Sequence, residues 1–112
     1  MKCRCAALPL LALAVANCSP ANAEEPDASN PFHCGVAFSV YLGIAKSSGS
    51  NGVSMLERRM KIEADRAAAL PASQRTRAEG EALSKRLLAH PDEAYETVAA
   101  CMKRQDAARN GS

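Results

Sequence analysis

From residue 31 onward, apolar residues recur every three or four positions in four runs, the spacing of amphipathic helices, and turn-forming residues separate the runs. The first run, Pro31 to Lys46, sets Cys34, Phe38, Leu42 and Ala45 beside Tyr41, Ala37, Ile44, Val40 and Val36, an arc of about 240° on an ideal helix. Only Gly35, Ser39, Gly43 and Lys46 fall outside that arc, so this helix is expected at the centre, covered by the others. Asn30-Pro31 supplies an N-cap and a proline at the first helical position, where its missing N–H costs nothing. Gly35, Ser39 and Gly43, four apart, make a small-residue strip on which a helix or a ligand can approach closely.

Ser47-Ser48-Gly49-Ser50-Asn51-Gly52 reads as a loop. Ser54-Met55-Leu56-Glu57 fits a capping box, which predicts a second helix from about Ser54 to Leu70, ended by Pro71. Its expected buried stripe is Leu56, Met60, Ala64, Ala67 and Leu70, with Glu63 close beside it and paired with Arg59. A third helix, about Ser73 to Ala89, carries Thr76, Gly80, Leu83 and Leu87 on one line. The fourth starts at Pro91 with Asp92 and Glu93 in its first turn and Lys103 and Arg104 towards its end, the order the helix dipole favours. Its stripe is Ala94, Tyr95, Val98, Cys101 and Met102, and residues 107–112 are expected to fray.

Short connections around Pro71 and Pro91 predict antiparallel neighbours, so the fold class is all-α, a small antiparallel four-helix bundle over residues 31–106. That topology brings the start of the first helix to the end of the fourth. Cys34 and Cys101 lie there on core-facing stripes, which predicts one disulfide between the first and fourth helices.

The residues before the first helix change the picture. Met1-Lys2-Cys3-Arg4, the apolar stretch Ala6 to Ala16 and Ala21-Asn22-Ala23 together read as a secretory signal peptide, residues 1–23, cleaved before Glu24. Eleven apolar residues fall short of the roughly 20 that span a bilayer, so no stable membrane anchor is expected. Asn17 is not the small residue that lipoprotein processing at Cys18 takes. Residues 24–30 read as a flexible tail.

The chain has 112 residues, 47% hydrophobic and 23% charged, with fourteen Lys or Arg against twelve Asp or Glu and five cysteines. Without residues 1–23, twelve basic side chains stand against twelve acidic ones, and Cys34 and Cys101 are the cysteines left. Electroneutrality argues against nucleic acid as a partner, because phosphate binding needs a clustered basic surface. Export argues for a periplasmic or secreted protein in a compartment where disulfides persist.

Candidate chemistry is sparse. His33, Cys34, His90 and Cys101 could form a two-His, two-Cys zinc set, but His33 and Cys34 are adjacent and point about 100° apart on a helix. His90 and Cys101 stand about 16 Å apart along one helix, so no metal is expected. No Gly-x-Ser-x-Gly elbow, phosphate-binding glycine loop or dinucleotide fingerprint occurs, and neither a catalytic residue nor a cofactor is expected. The remaining feature is a second apolar line on the second helix, Met55, Ile62 and Ala69, spaced by seven and set among Arg58, Arg59, Asp65 and Arg66. An apolar strip edged by arginines fits a partner surface. The expectation is an exported, non-catalytic protein-binding module, of the size and build of inhibitors, immunity proteins, chaperones or assembly accessories. Its partner would be another envelope or extracellular protein. The alternative is a small-ligand-binding helical domain with an opening beside the first helix.

Overall fold

A computed structural model describes residues 25–111, among which there are four α-helices and no strand. The expected signal peptide and Cys18 lie outside the described residues. The helices are α1 (Pro31–Ser47), α2 (Val53–Ala67), α3 (Arg77–Ala89) and α4 (Pro91–Gly111), with a 3-10 turn at Ala72–Gln74. No helix among the described residues is long and apolar enough to cross a membrane.

α1 starts where its sequence says it should. Asn30 Oδ1 accepts from the Phe32 and His33 N–H groups at 2.8 and 3.4 Å, satisfying donors that have no partner inside the helix. At the other end Gly49 adopts φ +72°, and the Ser50 and Gly49 N–H groups donate to the Ala45 and Lys46 carbonyls, a Schellman closure. α1 packs against each of α2, α3 and α4, the central position its broad apolar arc requires. It contributes Cys34, Ala37, Phe38, Val40, Leu42 and Ala45 to the core; α2 adds Leu56, α3 adds Leu83 and Leu87, and α4 adds Ala94, Val98 and Cys101.

Cys34 and Cys101 form the disulfide between α1 and α4, with Cα atoms 5.9 Å apart and both residues fully buried. About two turns away along both helices, the Tyr41 and Tyr95 rings lie 5.8 Å apart.

Four local expectations are corrected. α2 begins at Val53 with Gly52 as its cap and no side-chain capping bond, so the expected box at Ser54 is absent. Val53 packs on the core from the first helical position, and Glu57 turns to Lys46 at 3.6 Å. The full capping box sits at Thr76 and Glu79 instead, so α3 starts at Arg77 rather than Ser73. Residues 27–30 are not a free tail: Asp27 accepts from the Ser29 hydroxyl and N–H at 2.7 and 2.9 Å, and Ala28 packs against the core. Finally, α4 runs to Gly111, through the residues expected to fray, with Asp106 taking ion pairs from Arg59 and Arg109.

Two carboxylates give the fold an acid limb. Hydrogen bonds from Ser29 hold Asp27 below the usual carboxylate range, and the Arg86 guanidinium, 2.8 Å away, does the same for Glu93. A depressed folded pKa contributes stability that is present above the unfolded value and lost as pH falls through the folded one. Thermal stability is therefore expected to decline as pH drops below about 4, and Glu93→Gln should flatten that decline in melts recorded across the acid range. An acid limb unchanged by the substitution would refute the assignment.

Candidate functional site

The second helix folds around a buried charge. Glu63 is 0% exposed, on the line Leu56, Glu63, Ala67, which shares the seven- and four-residue steps of a core stripe. Ala64, expected on that stripe, is exposed. Nor does Glu63 pair with Arg59. Its Oε1 accepts from Arg104 Nη2 at 2.8 Å and Arg66 Nη1 at 3.2 Å, and its Oε2 accepts from Gln105 Nε2. Arg104 also donates through Nε to the Ala28 carbonyl at 2.7 Å, and Gln105 Nε2 to the Arg59 carbonyl at 3.1 Å. Arg59 is turned outward to Asp106 at 2.8 Å and Gln105 Oε1 at 3.1 Å. This network ties α2, α4 and the N-terminal turn together beside the disulfide, with Arg104 Nη2 3.5 Å from Cys34 Sγ. Every buried side-chain nitrogen and oxygen among the described residues has a partner.

Outside this network lies a groove of about 740 Å³ between α2 and the end of α4. All five residues of the expected partner surface, Met55, Arg58, Arg59, Ile62 and Arg66, line it. Met55 is half-buried against the core and Ile62 is 45% exposed, so the apolar line is part floor and part rim. α4 supplies the opposite wall with Arg104, Gln105, Asp106, Ala108 and Arg109. Two of these belong to the turns that sequence reasoning left as a frayed tail. The groove thus gathers five guanidiniums around the Asp106 carboxylate, above the sealed Glu63. Arg58 is exposed and makes no ion pair among the described residues. Guanidiniums stay cationic at physiological pH and present paired donors to carboxylates. Its lining is five arginines, one carboxylate, one amide and three apolar side chains, a donor-rich set of the kind that suits an anionic group.

A second groove, about 1300 Å³ and open to solvent, runs between α2 and α3 with α1 as its floor. Gly35, Val36 and Ser39 lie on that floor, and Met60, Ala64, Gly80 and Leu88 are among its walls. Gly43 belongs to a smaller neighbouring hollow of about 640 Å³ that shares Ser39 and Leu88. The small-residue strip is therefore split between two adjoining depressions. A Cβ at Gly35 or Gly43 would meet nothing within 4 Å, whereas one at Gly80 would lie 3.2 Å from the Phe32 ring, so the close helix approach is at Gly80, where α3 crosses α1, and not on the strip.

The residues weighed for zinc are placed apart in role. Cys34 and Cys101 are bonded to one another, and His33 Nδ1 accepts from the Asp27 N–H at 3.0 Å. No cluster of three or more His, Cys, Asp or Glu that could hold a metal occurs among the described residues. Sequence reasoning missed Arg104, Gln105 and Asp106. The available signal for Gln105 was the α4 stripe itself: Ala94, Val98 and Cys101 step by four and three, and the next step of four is Gln105. Compared with protein-family models, curated proteins and solved structures, the chain has no match.

Proposed function

We propose that the protein is a non-catalytic binding module of the cell envelope or extracellular space, and that it captures another protein through the groove between α2 and α4. One observation carries this reading: Met55, Arg58, Arg59, Ile62 and Arg66 line a single groove with four further charged or polar residues of α4. Arginines around a part-exposed aliphatic pair have the composition of protein-binding patches. The Cys34–Cys101 bridge is consistent with an exported protein.

The architecture that accompanies this reading is the antiparallel bundle. Its support is the order of contacts: Cys34–Cys101 and Tyr41–Tyr95 run in opposite directions along α1 and α4, and Lys46 at the end of α1 meets Glu57 at the start of α2.

The test separates docking from folding. Arg59 and Arg66 are wired into the Glu63 network, so reversing their charge would disturb the fold. Arg58→Glu with Ile62→Asp changes exposed side chains alone. Affinity capture from the protein's own envelope fraction is expected to lose its partner in this double variant while the melting temperature stays within a few degrees of wild type. Full retention of the partner would refute the reading. The alternative, a small-ligand domain with its opening beside α1, is favoured by the 1300 Å³ groove. A captured molecule that survives the double variant but is lost with Leu88→Asp would support it.

A further inference from the structure

We propose that the α2–α4 groove takes an acidic peptide segment, whose carboxylates meet Arg58 and Arg66 and one of whose aliphatic side chains lies on Met55 and Ile62. The inference rests on the reading that a partner docks in this groove, and it adds the chemistry of the segment that enters.

Charge complementarity is the first argument. After the expected cleavage the chain is electroneutral, yet this groove collects five arginines against Asp106 and Glu63. Glu63 is sealed at 0% exposure, and Asp106 Oδ1 is engaged by Arg59 and Arg109 while its side chain stays 45% exposed, so one part-exposed carboxylate stands against five guanidiniums in the groove. Arg66 gives one N–H to Glu63 while its side chain remains 47% exposed, leaving donors of its planar fork for a second carboxylate. Arg59 is braced by Asp106 and Gln105 and Arg104 by Glu63 and Ala28, so part of the cationic wall is held in place before a ligand arrives.

The lining of the groove favours the same occupant. About 740 Å³ lies within the size of pockets that take a few side chains, which fits a short segment. Met55, Ile62 and Ala108 give it an aliphatic surface, and no aromatic residue lines it. Single-stranded nucleic acid relies on aromatic platforms for stacking, so the same positive charge here favours a peptide.

The experiment uses fluorescence anisotropy on the protein purified with its disulfide intact. The probes are a labelled peptide of about twelve residues, repeating Glu-Glu-Leu, its Gln-Gln-Leu counterpart, and an oligothymidine of equal length. Saturable binding of the Glu peptide is expected, about tenfold weaker for the Gln peptide and for Arg58→Glu or Ile62→Asp, and weakened further by raising salt from about 50 to 500 mM. Leu88→Asp, in the other groove, should leave affinity unchanged. Equal affinity for the two peptides, no saturable binding, or tighter binding of oligothymidine would overturn the proposal. A captured partner that depends on Arg58 and Ile62 but is not displaced by the Glu peptide overturns the acidic segment and leaves the docking groove standing. Capture indifferent to both substitutions overturns the groove itself.

Discussion

Replacing both bridge cysteines, Cys34→Ser with Cys101→Ser, is expected to destabilise the fold by about 4 kcal/mol, the chain-entropy cost of opening a loop closed across 67 positions. For a domain this size that corresponds to a fall of about 15–30 °C in melting temperature, and it is a large share of the typical 5–15 kcal/mol roughly available. The effect is large because α1 and α4 are distant in sequence and the bridge limits how far they separate in the unfolded chain. Thermal melts followed by circular dichroism, with and without reductant, check it. Reductant should bring the wild type down to the double variant and leave the variant unmoved. A variant that melts with the wild type would show that packing alone holds the two helices together.

Glu63→Ala comes next, at about 3 kcal/mol. The carboxylate is fully buried and accepts from Arg104, Arg66 and Gln105; removing it takes the carboxylate partner from Arg104 Nη2 and one of two acceptors from the Gln105 amide, which keeps the Arg59 carbonyl. Glu63→Gln should fall between, since one carbonyl oxygen survives. Urea denaturation of Glu63→Ala, Arg104→Ala and the pair completes a cycle. The two costs should fail to add by about 1 kcal/mol or more, because each substitution removes the reason the other side chain is ordered. Additive costs would mean that the two residues are not coupled.

The helical elements were legible because their signals are local. The Asn30-Pro31 start, the Gly49 stop and the His90-Pro91 junction depend on residues within a few positions, and the apolar arc of α1 is broad enough to fix its central place. Cys34 and Cys101 could be paired because they occupy core-facing stripes of two helices. The site was half legible. Helix periodicity placed Met55, Arg58, Arg59, Ile62 and Arg66 on one side of α2, but the wall they face comes from α4, from Arg104 to Arg109, far along the chain. Glu63 exposed the limit most sharply. Hydropathy sets a glutamate outside the core, and Arg59 stands at the favoured i,i+4 distance, so the local reading pairs them. The structure instead takes Glu63 inward, because Arg104 and Gln105 from another helix can saturate it, and leaves Arg59 for Asp106. Capping motifs carried a similar ambiguity: Ser54 to Glu57 and Thr76 to Glu79 have the same spelling, but the first falls inside a helix that starts at the part-buried Val53, and only the second forms the box.

The ties that resist separation are unevenly spread. The disulfide, the Glu63 network and the Arg104 bond to Ala28 lie where α1 begins and α4 approaches its end. Where α1 ends and α4 begins there are the part-exposed ion pairs Lys46–Glu57 and Arg86–Glu93 and the glycine turn at Gly49. Covalent and charge-network ties are thus gathered near the start of α1, whereas its later turns are held by the apolar packing of Leu42 and Ala45. Backbone amide exchange is therefore expected to be slowest around Cys34 and Cys101, so that the arginine wall beside the bridge is the part of the surface that keeps its shape.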